Sequence, residues 1–338
     1  MLEQPGPWGT GPFVLKEGVS TLKKRSPQVV MEPFEQYWNS DRKPKVRVVF
    51  DNVISKAEAL DLVTDSVGKV DLVTELTPAE AKRVSESKQA HLVRSDAKTV
   101  LAGVFNRTGA RSRWDDVRLR RAVNLAVDRD AIVKQGAEGY GTVIPAMVVP
   151  GAFGSENGLK PYEFRPDEAK QLVQQAGLKS KTLTIVAGEG YKGVVEAMTQ
   201  DLARAGFEVK PLYAAAPKGD DWDIWLVEHF DWSPEWPAGV VYREFFGEDG
   251  GFRKTKKVDP GFATRYAKLL STPDVKAQEG MIRDLDRYVH DQADLLFLYA
   301  PAKLFAVSNR VKFTPYKTTM LELAETEVTQ EVAAAAGP

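Results

Sequence analysis

The chain has no cysteine. That excludes disulfides, thiolate-held metals, cysteine nucleophiles and a lipidated N-terminal cysteine. Its three histidines, His91, His229 and His290, are far apart and fall in no HxH or HxxxH spacing. This argues against a histidine-built metal site or catalytic dyad. Neither sign of charge is in excess. The formal net charge is −1, so no bulk field gathers nucleic acid or an anionic membrane. Long apolar runs are missing as well. The longest, residues 295–307, contains Lys303 and is too short to span a bilayer. The first residues, MLEQPGPW, carry neither a basic n-region nor an apolar h-region, so no signal peptide is visible. No nucleophile–base–acid set stands out. Asp115-Asp116 and Asp220-Asp221 are sequence neighbours, and neighbours on a strand or turn point apart. Neither an enzyme activity nor a cofactor or metal is therefore expected.

What is present is a globular mixture. Hydrophobic residues make up 43% and charged residues 28% of 338, enough for one large core or two smaller ones. Residues 112–140 give the clearest local signal. Leu119, Ala122, Val123, Ala126 and Val127 recur at helical spacing and form one apolar face. Asp115 and Asp116 stand where an N-cap and a first-turn acid belong. Asp128 can cap a second short helix through Ile132 and Val133 that Gly136 would end. The remaining face is basic, with Arg113, Arg118, Arg120 and Arg121. Interspersed acids make solvated or intramolecular ion pairs the expectation there, not a nucleic-acid patch.

The same stretch carries a family pattern. An acidic turn is followed by Arg120, Ala122, Asn124, Ala126, Asp128 and Arg129, then by a Gly-rich exit. This resembles the extracytoplasmic solute-binding proteins of ABC importers, of the dipeptide/oligopeptide/nickel type (family 5). Upstream, GTGPF at 9–13, a paired strand, Tyr37-Trp38, Pro44 and a strand at 46–50 resemble that family's mid-chain signature. So does the helix expected over 56–67, ended by Gly68 and followed by Val70-Asp71-Leu72. The resemblance implies an α/β, periplasmic-binding-protein-like (type II) two-lobed fold. Residues 1–105 would give part of lobe one, 106–303 lobe two, and 304–338 a return to lobe one and a frayed tail. GTGPF lies well inside such chains, so the resemblance also implies an N-terminally truncated fold.

The remaining elements are legible one by one. Thr77, Pro78 and Glu80 read as N-cap, N1 and N3 of a helix. Residues 100–105 read as a strand ending at Asn106, and 143–149 as extended. Helices are expected from 165 to Gly177 and over 194–205, with strands at 183–186 and 207–210, a βαβ unit with parallel pairing. Gly188 to Gly193 form the turn inside that unit. They match neither a P-loop nor GxGxxG, so a tight turn is expected, not a phosphate cradle. A strand follows at 222–227, then helices at 242–246, 262–270 and 276–292, and one buried strand over 295–306.

The candidate site follows the strand at 222–227. Trp225, Phe230, Trp232 and Trp236 crowd this part of the chain, and so much aromatic area must face a core or a ligand. In the resembling proteins an Asp of a Trp-x-x-Asp-Tyr-like segment pairs with a peptide α-ammonium. The resemblance carries that role to Asp231, with His229, Phe230 and Trp232 around it. Asn106 and Tyr140 are further candidates near the crossover. The family implies a solute-binding component of an ABC importer, capturing peptides or similar small solutes between two lobes. Its partners would be the solute and the permease complex. The alternatives are a solute-sensing regulatory or scaffolding module of the same fold, or a degenerate or split relative needing a chain that completes lobe one. The resemblance implies an extracytoplasmic location, while the lack of a visible signal peptide leaves a cytoplasmic one open.

Overall fold

The computed structural model describes residues 9–21, 23–66, 68–96, 99–108, 113–155, 158–178, 180–230, 240–316 and 321–329. The chain folds into two compact units, Met1–Ser95 with Lys303–Pro338, and Asp96–Ala302.

The first unit begins with β1 (Phe13–Glu17), β2 (Gln28–Pro33) and β3 (Val48–Asp51), an antiparallel sheet in that order. There follow α1 (Lys56–Asp65), β4 (Leu72–Val73), α2 (Pro78–Ser85) and β5 (Ala90–Ser95). The expected cap of α2 is in place. Glu80 N–H donates to Thr77 Oγ1 at 3.3 Å, and Thr77 N–H donates to the Glu80 carboxylate at 2.7 Å.

The second unit carries β6 (Thr99–Phe105), α3 (Val117–Ala126) and α4 (Arg129–Ala131), the last running into a π-helical turn, Ile132–Gly136. Next come β7 (Gly141–Val143), α5 (Pro166–Gln175), β8 (Thr182–Ala187), α6 (Lys192–Arg204), β9 (Glu208–Tyr213) and β10 (Ile224–Phe230). Then follow α7 (Val240–Phe246), α8 (Pro260–Leu270), α9 (Val275–Asp291) and β11 (Leu295–Pro301). The chain returns to the first unit through β12 (Lys303–Ser308), β13 (Val311–Lys312) and β14 (Glu327–Val328). β12 lies between β4 and β5, antiparallel to both.

The six strands of the second unit run in the order β7-β11-β6-β10-β8-β9. β8 is parallel to β9 and β10, and β6 is antiparallel to β10 and β11. All seven residues of β6 are buried, as a central strand covered on both faces requires. Leu101 joins Leu119, Val123, Val173 and Met198 from α3, α5 and α6 on one face. Val100, Ala102 and Val104 join Tyr242, Phe262 and Leu285 from α7, α8 and α9 on the other.

Four expectations are corrected here. The sequence places the first division at 105/106, but β6 pairs along its whole length with β10 and over residues 101–104 with β11, so the units part at 95/96 and again at 302/303. The single strand expected over 295–306 is two strands, β11 and β12, in different units. The strand expected at 222–227 runs from Ile224 to Phe230, which brings Glu228 and His229 into the ladder. Residues 144–149 are not extended. The buried Asp286 carboxylate turns them by accepting from Met147 N–H at 2.9 Å and Val148 N–H at 3.3 Å.

Candidate functional site

The six-stranded sheet has two different ends. At one, here the exit end, the C-termini of β8, β9, β10 and β11 meet the N-termini of β6 and β7. The chain enters the unit just before β6 and leaves it just after β11, so both connections lie there. α/β sheets expose ligand sites at the carboxyl ends of parallel strands.

At the far end, polar side chains are spent on the chain itself. Asn106 is buried, and its Nδ2 donates to the carbonyls of Asp220 and Trp222, both at 3.0 Å. Its Oδ1 accepts from Thr108 Oγ1 at 2.7 Å. Asp223 accepts from Arg113 Nε and Trp114 Nε1, both at 3.1 Å, and from Thr184 N–H at 2.9 Å. Asp294 pairs with Arg107 at 3.1 Å and Arg120 at 3.6 Å. Burial nevertheless pushes its carboxyl up to about 6, outweighing the two guanidiniums that pull it down. Burial likewise lowers Arg120 to about 10, with the Arg107 charge adding to the effect.

Arg120 is thus not on a solvated face. It donates to the carbonyls of Trp114 at 2.6 Å, Gln292 at 2.8 Å, and Ala293 and Asp115 at 3.1 Å. Arg129 is buried too and donates to Phe297 O at 2.6 Å, Asn124 O at 2.9 Å, and Val127 O and Tyr162 O at 3.2 Å. The β11–β6 register shifts between Phe297 and Tyr299. There Phe297 N–H donates to Asn124 Oδ1 at 3.3 Å while its carbonyl takes the Arg129 bond. The signature residues Asn124 and Arg129 therefore tie α3 and α4 to β11, and Arg120 ties α3 to the turn between α9 and β11. Asn124 and Arg129 meet the backbone's need for partners at a bulge.

The exit end is built differently. Register sets Glu228 of β10 and Tyr299 of β11 on either side of Leu101 of β6, on the face covered by α3, α5 and α6. Tyr191, in the turn before α6, donates its hydroxyl to Glu228 Oε2. Burial raises the Tyr191 hydroxyl well above its usual range, and the Glu228 charge and hydrogen bond raise it further. Tyr299 is raised by burial first and then by the Glu228 charge. Both phenols therefore stay neutral donors. A side chain at position 141 would meet Tyr299 Cδ2 at 2.5 Å, so Gly141 lets that ring lie against β7. The π-helical turn packs with similar closeness on the start of α6, where a Cβ on Gly136 would lie 2.9 Å from Val194 Cα.

The sequence candidates separate on this frame. Phe230 ends β10 opposite Thr99 at the exit end. Tyr140, half-buried, is at the same end, its carbonyl accepting from Ala302 N–H at 3.2 Å. His229 is there also, but on the α7–α9 face, where its ring lies edge-on to Phe245 at 5.4 Å and Phe252 at 5.3 Å. That is the packing of a core residue. Asn106 is at the far end, away from the others. Asp231 and Trp232 lie outside the described residues. Sequence reading missed Glu228, Tyr191 and Tyr299. The available signal was a lone carboxylate in the apolar run 224–230, at the alternation parity of Ile224 and Leu226. Among the described residues no three His, Asp or Glu side chains gather as a metal site, and no helix is long and apolar enough to cross a membrane.

A sequence profile of the bacterial extracellular solute-binding proteins, family 5 Middle, matches residues 3–251. The chain belongs to this family. Among curated relatives of this family-5 chain, the dipeptide-binding protein of Escherichia coli K12 is 25% identical over 173 residues, 51% of this chain and 30% of that protein. The nickel-binding periplasmic protein of the same organism is 22% identical over 317 residues, 85% of this chain and 58% of that protein. An ABC transporter substrate-binding protein, CtaP, of Listeria monocytogenes superposes with a TM-score of 0.80 at 18% identity. That match covers 95% of this chain and 67% of CtaP. The fold is periplasmic-binding-protein-like. The family-5 chain spans less than two thirds of the length of either curated relative. These relatives are named for what they bind and not for a reaction.

Proposed function

We propose that this family-5 chain captures a peptide or a similar small solute for an ABC importer, outside the cytoplasm, and hands it to the permease. One observation carries the reading: a chain of a solute-binding family presents, in its second unit, a sheet end where four strand C-termini converge. Asp231, the next residue in sequence after β10, is the one we assign to the peptide α-ammonium, with Phe230, Trp232 and Tyr140 as further candidate contacts. A carboxylate facing an ammonium out of bulk water makes a strong charge-assisted contact, and aromatic neighbours grip side chains without demanding hydrogen bonds. Because binding stabilises the folded state by mass action, a panel of di- and tripeptides tests this in thermal unfolding. At least one peptide is expected to raise Tm in a concentration-dependent way, and Asp231→Asn should weaken it roughly tenfold or more. No shift with any peptide, at any concentration up to millimolar, overturns the reading.

A further inference from the structure

One cation at the far end of the sheet is met by no opposite charge. Arg253 lies in the segment between α7 and α8, which packs against the end of β6. There Arg107 N–H donates to Lys254 O at 2.7 Å, and Arg107 forms a parallel bridge with Thr255. The Arg253 guanidinium donates through Nη1 to Thr255 O at 3.0 Å and Thr255 Oγ1 at 3.3 Å, and through Nη2 to Glu248 O at 3.0 Å. These acceptors are all neutral. No carboxylate among the described residues pairs with this guanidinium, and its Nε is buried without an acceptor. A charged donor held out of water with an unmet N–H is costly, so its surroundings call for an account.

Arg253 lines a cavity of about 30 Å³ together with Arg107, Lys254, Lys257, Asp259 and Asp294. Both carboxylates already have partners. Asp259 accepts from Phe262 N–H at 2.8 Å and from the Tyr288 hydroxyl, and Asp294 is held by Arg107 and Arg120. Four cationic side chains against two carboxylates leave the lining with an excess of positive charge. Phe245 and Phe262 supply apolar wall, where an opposite charge is attracted more strongly than in water. The volume suits a group of about the size of one or two waters and is too small for a tetrahedral oxyanion.

From this lining we propose that the cavity is a binding site for a small monovalent anion of chloride's size, which accepts from Arg253 Nε–H among the charges of Arg107, Lys254 and Lys257. The ion relieves the repulsion between Arg107 and Arg253 and so fastens the segment around Arg253 to the end of β6. The site is independent of the solute-binding reading, because Phe230 and Tyr140 belong to the opposite end of the sheet.

The probe is chloride itself, titrated into the whole chain against sodium gluconate at constant ionic strength, with sulfate as a third salt. Thermal unfolding and the ³⁵Cl NMR linewidth are the readouts. Chloride should raise Tm saturably, by about 2–4 °C at ten times its half-saturating concentration, and its resonance should broaden. Gluconate and sulfate should not reproduce the saturable rise. Arg253→Gln should raise the half-saturating concentration by roughly tenfold or more. Lys257→Gln, at an exposed position that leaves packing untouched, should raise it about threefold and keeps the test open if Arg253→Gln does not fold. Lys256→Gln, an exposed neighbour that does not line the cavity, should leave it unchanged. No saturable effect of chloride on the wild type overturns the site. So does an unchanged half-saturation in both lining variants, and so does an equal response to sulfate, which would place binding on the open surface.

Discussion

The two ends of the second unit's sheet are made from the same strands, yet they spend their polar side chains differently. At the far end Asn106, Arg120 and Asp223 bond to backbone groups of the loops and strands they touch. Arg129, deeper in, does the same for β11. At the exit end Tyr191 and Glu228 bond to each other, side chain to side chain. A polar group tied to backbone carbonyls fixes the path of the chain. A polar group held by another side chain, at the edge of the sheet, fixes the place of a charge. Side-chain pairs occur at the far end too, Asp223 with Arg113 and Asp294 with Arg107, so what sets that end apart is the added tie to backbone.

The comparison can be broken by substitution. The largest loss is expected at Arg129. Arg129→Met keeps bulk and leaves four buried carbonyls short of their donor, so stability should fall by about 3–5 kcal/mol in urea unfolding. A loss below about 1 kcal/mol would mean that the backbone partners are met by water, and the far end would lose its distinction. Next comes Asp294. Its carboxyl titrates at about 6 in the folded chain against 3.8 when unperturbed. A raised carboxyl binds its proton more tightly when folded. Its contribution is therefore complete below about 3.8 and disappears as the pH rises through about 6, on the order of 3 kcal/mol in all. Urea midpoints of the wild type should fall relative to those of Asp294→Asn between those two pH values. A difference constant with pH would show that the two guanidiniums hold the carboxylate ionised. The smallest effect belongs to the exit end. Tyr140→Phe should change stability by less than about 0.5 kcal/mol, because the bond made there is through the backbone carbonyl. A loss of several times that amount would mean that the exit end, too, is built for stability.

Local signals in the sequence were sound where chemistry is local. The box at Thr77 and Glu80, the cap at Asp128, and the stops at Gly68, Gly177 and Gly206, all at positive φ, follow from residues within one turn of each other, while the cap of α3 falls one residue later than expected, on Asp116 and not Asp115. The parallel pairing of β8 with β9 followed from the helix between them. What was illegible depends on distant partners. Arg120 reads as surface charge until its carbonyl partners, Gln292 and Ala293, arrive from the far end of α9. Residues 144–149 read as extended until Asp286 turns them. The run 295–306 is uniformly apolar because both its halves are buried, and nothing in that composition says that they are buried in different units. Glu228 was passed over because a strand boundary set at Val227 hid its parity with Leu226, and Tyr191, its partner, is in the turn before α6.

The place of β12 has a consequence for the order in which the chain can fold as it is made. The strand that joins β4 to β5 is synthesised after the whole of Asp96–Ala302. Until residues 303–308 leave the ribosome, β4 and β5 have no strand between them, whereas the second unit is one uninterrupted segment that holds all six strands of its own sheet. Domains fold as units while translation proceeds. Here the unit that begins later in the sequence is the first that can complete all of its sheet, and the one that begins earlier, although its β1–β3 sheet can form at once, waits for residues 303–308.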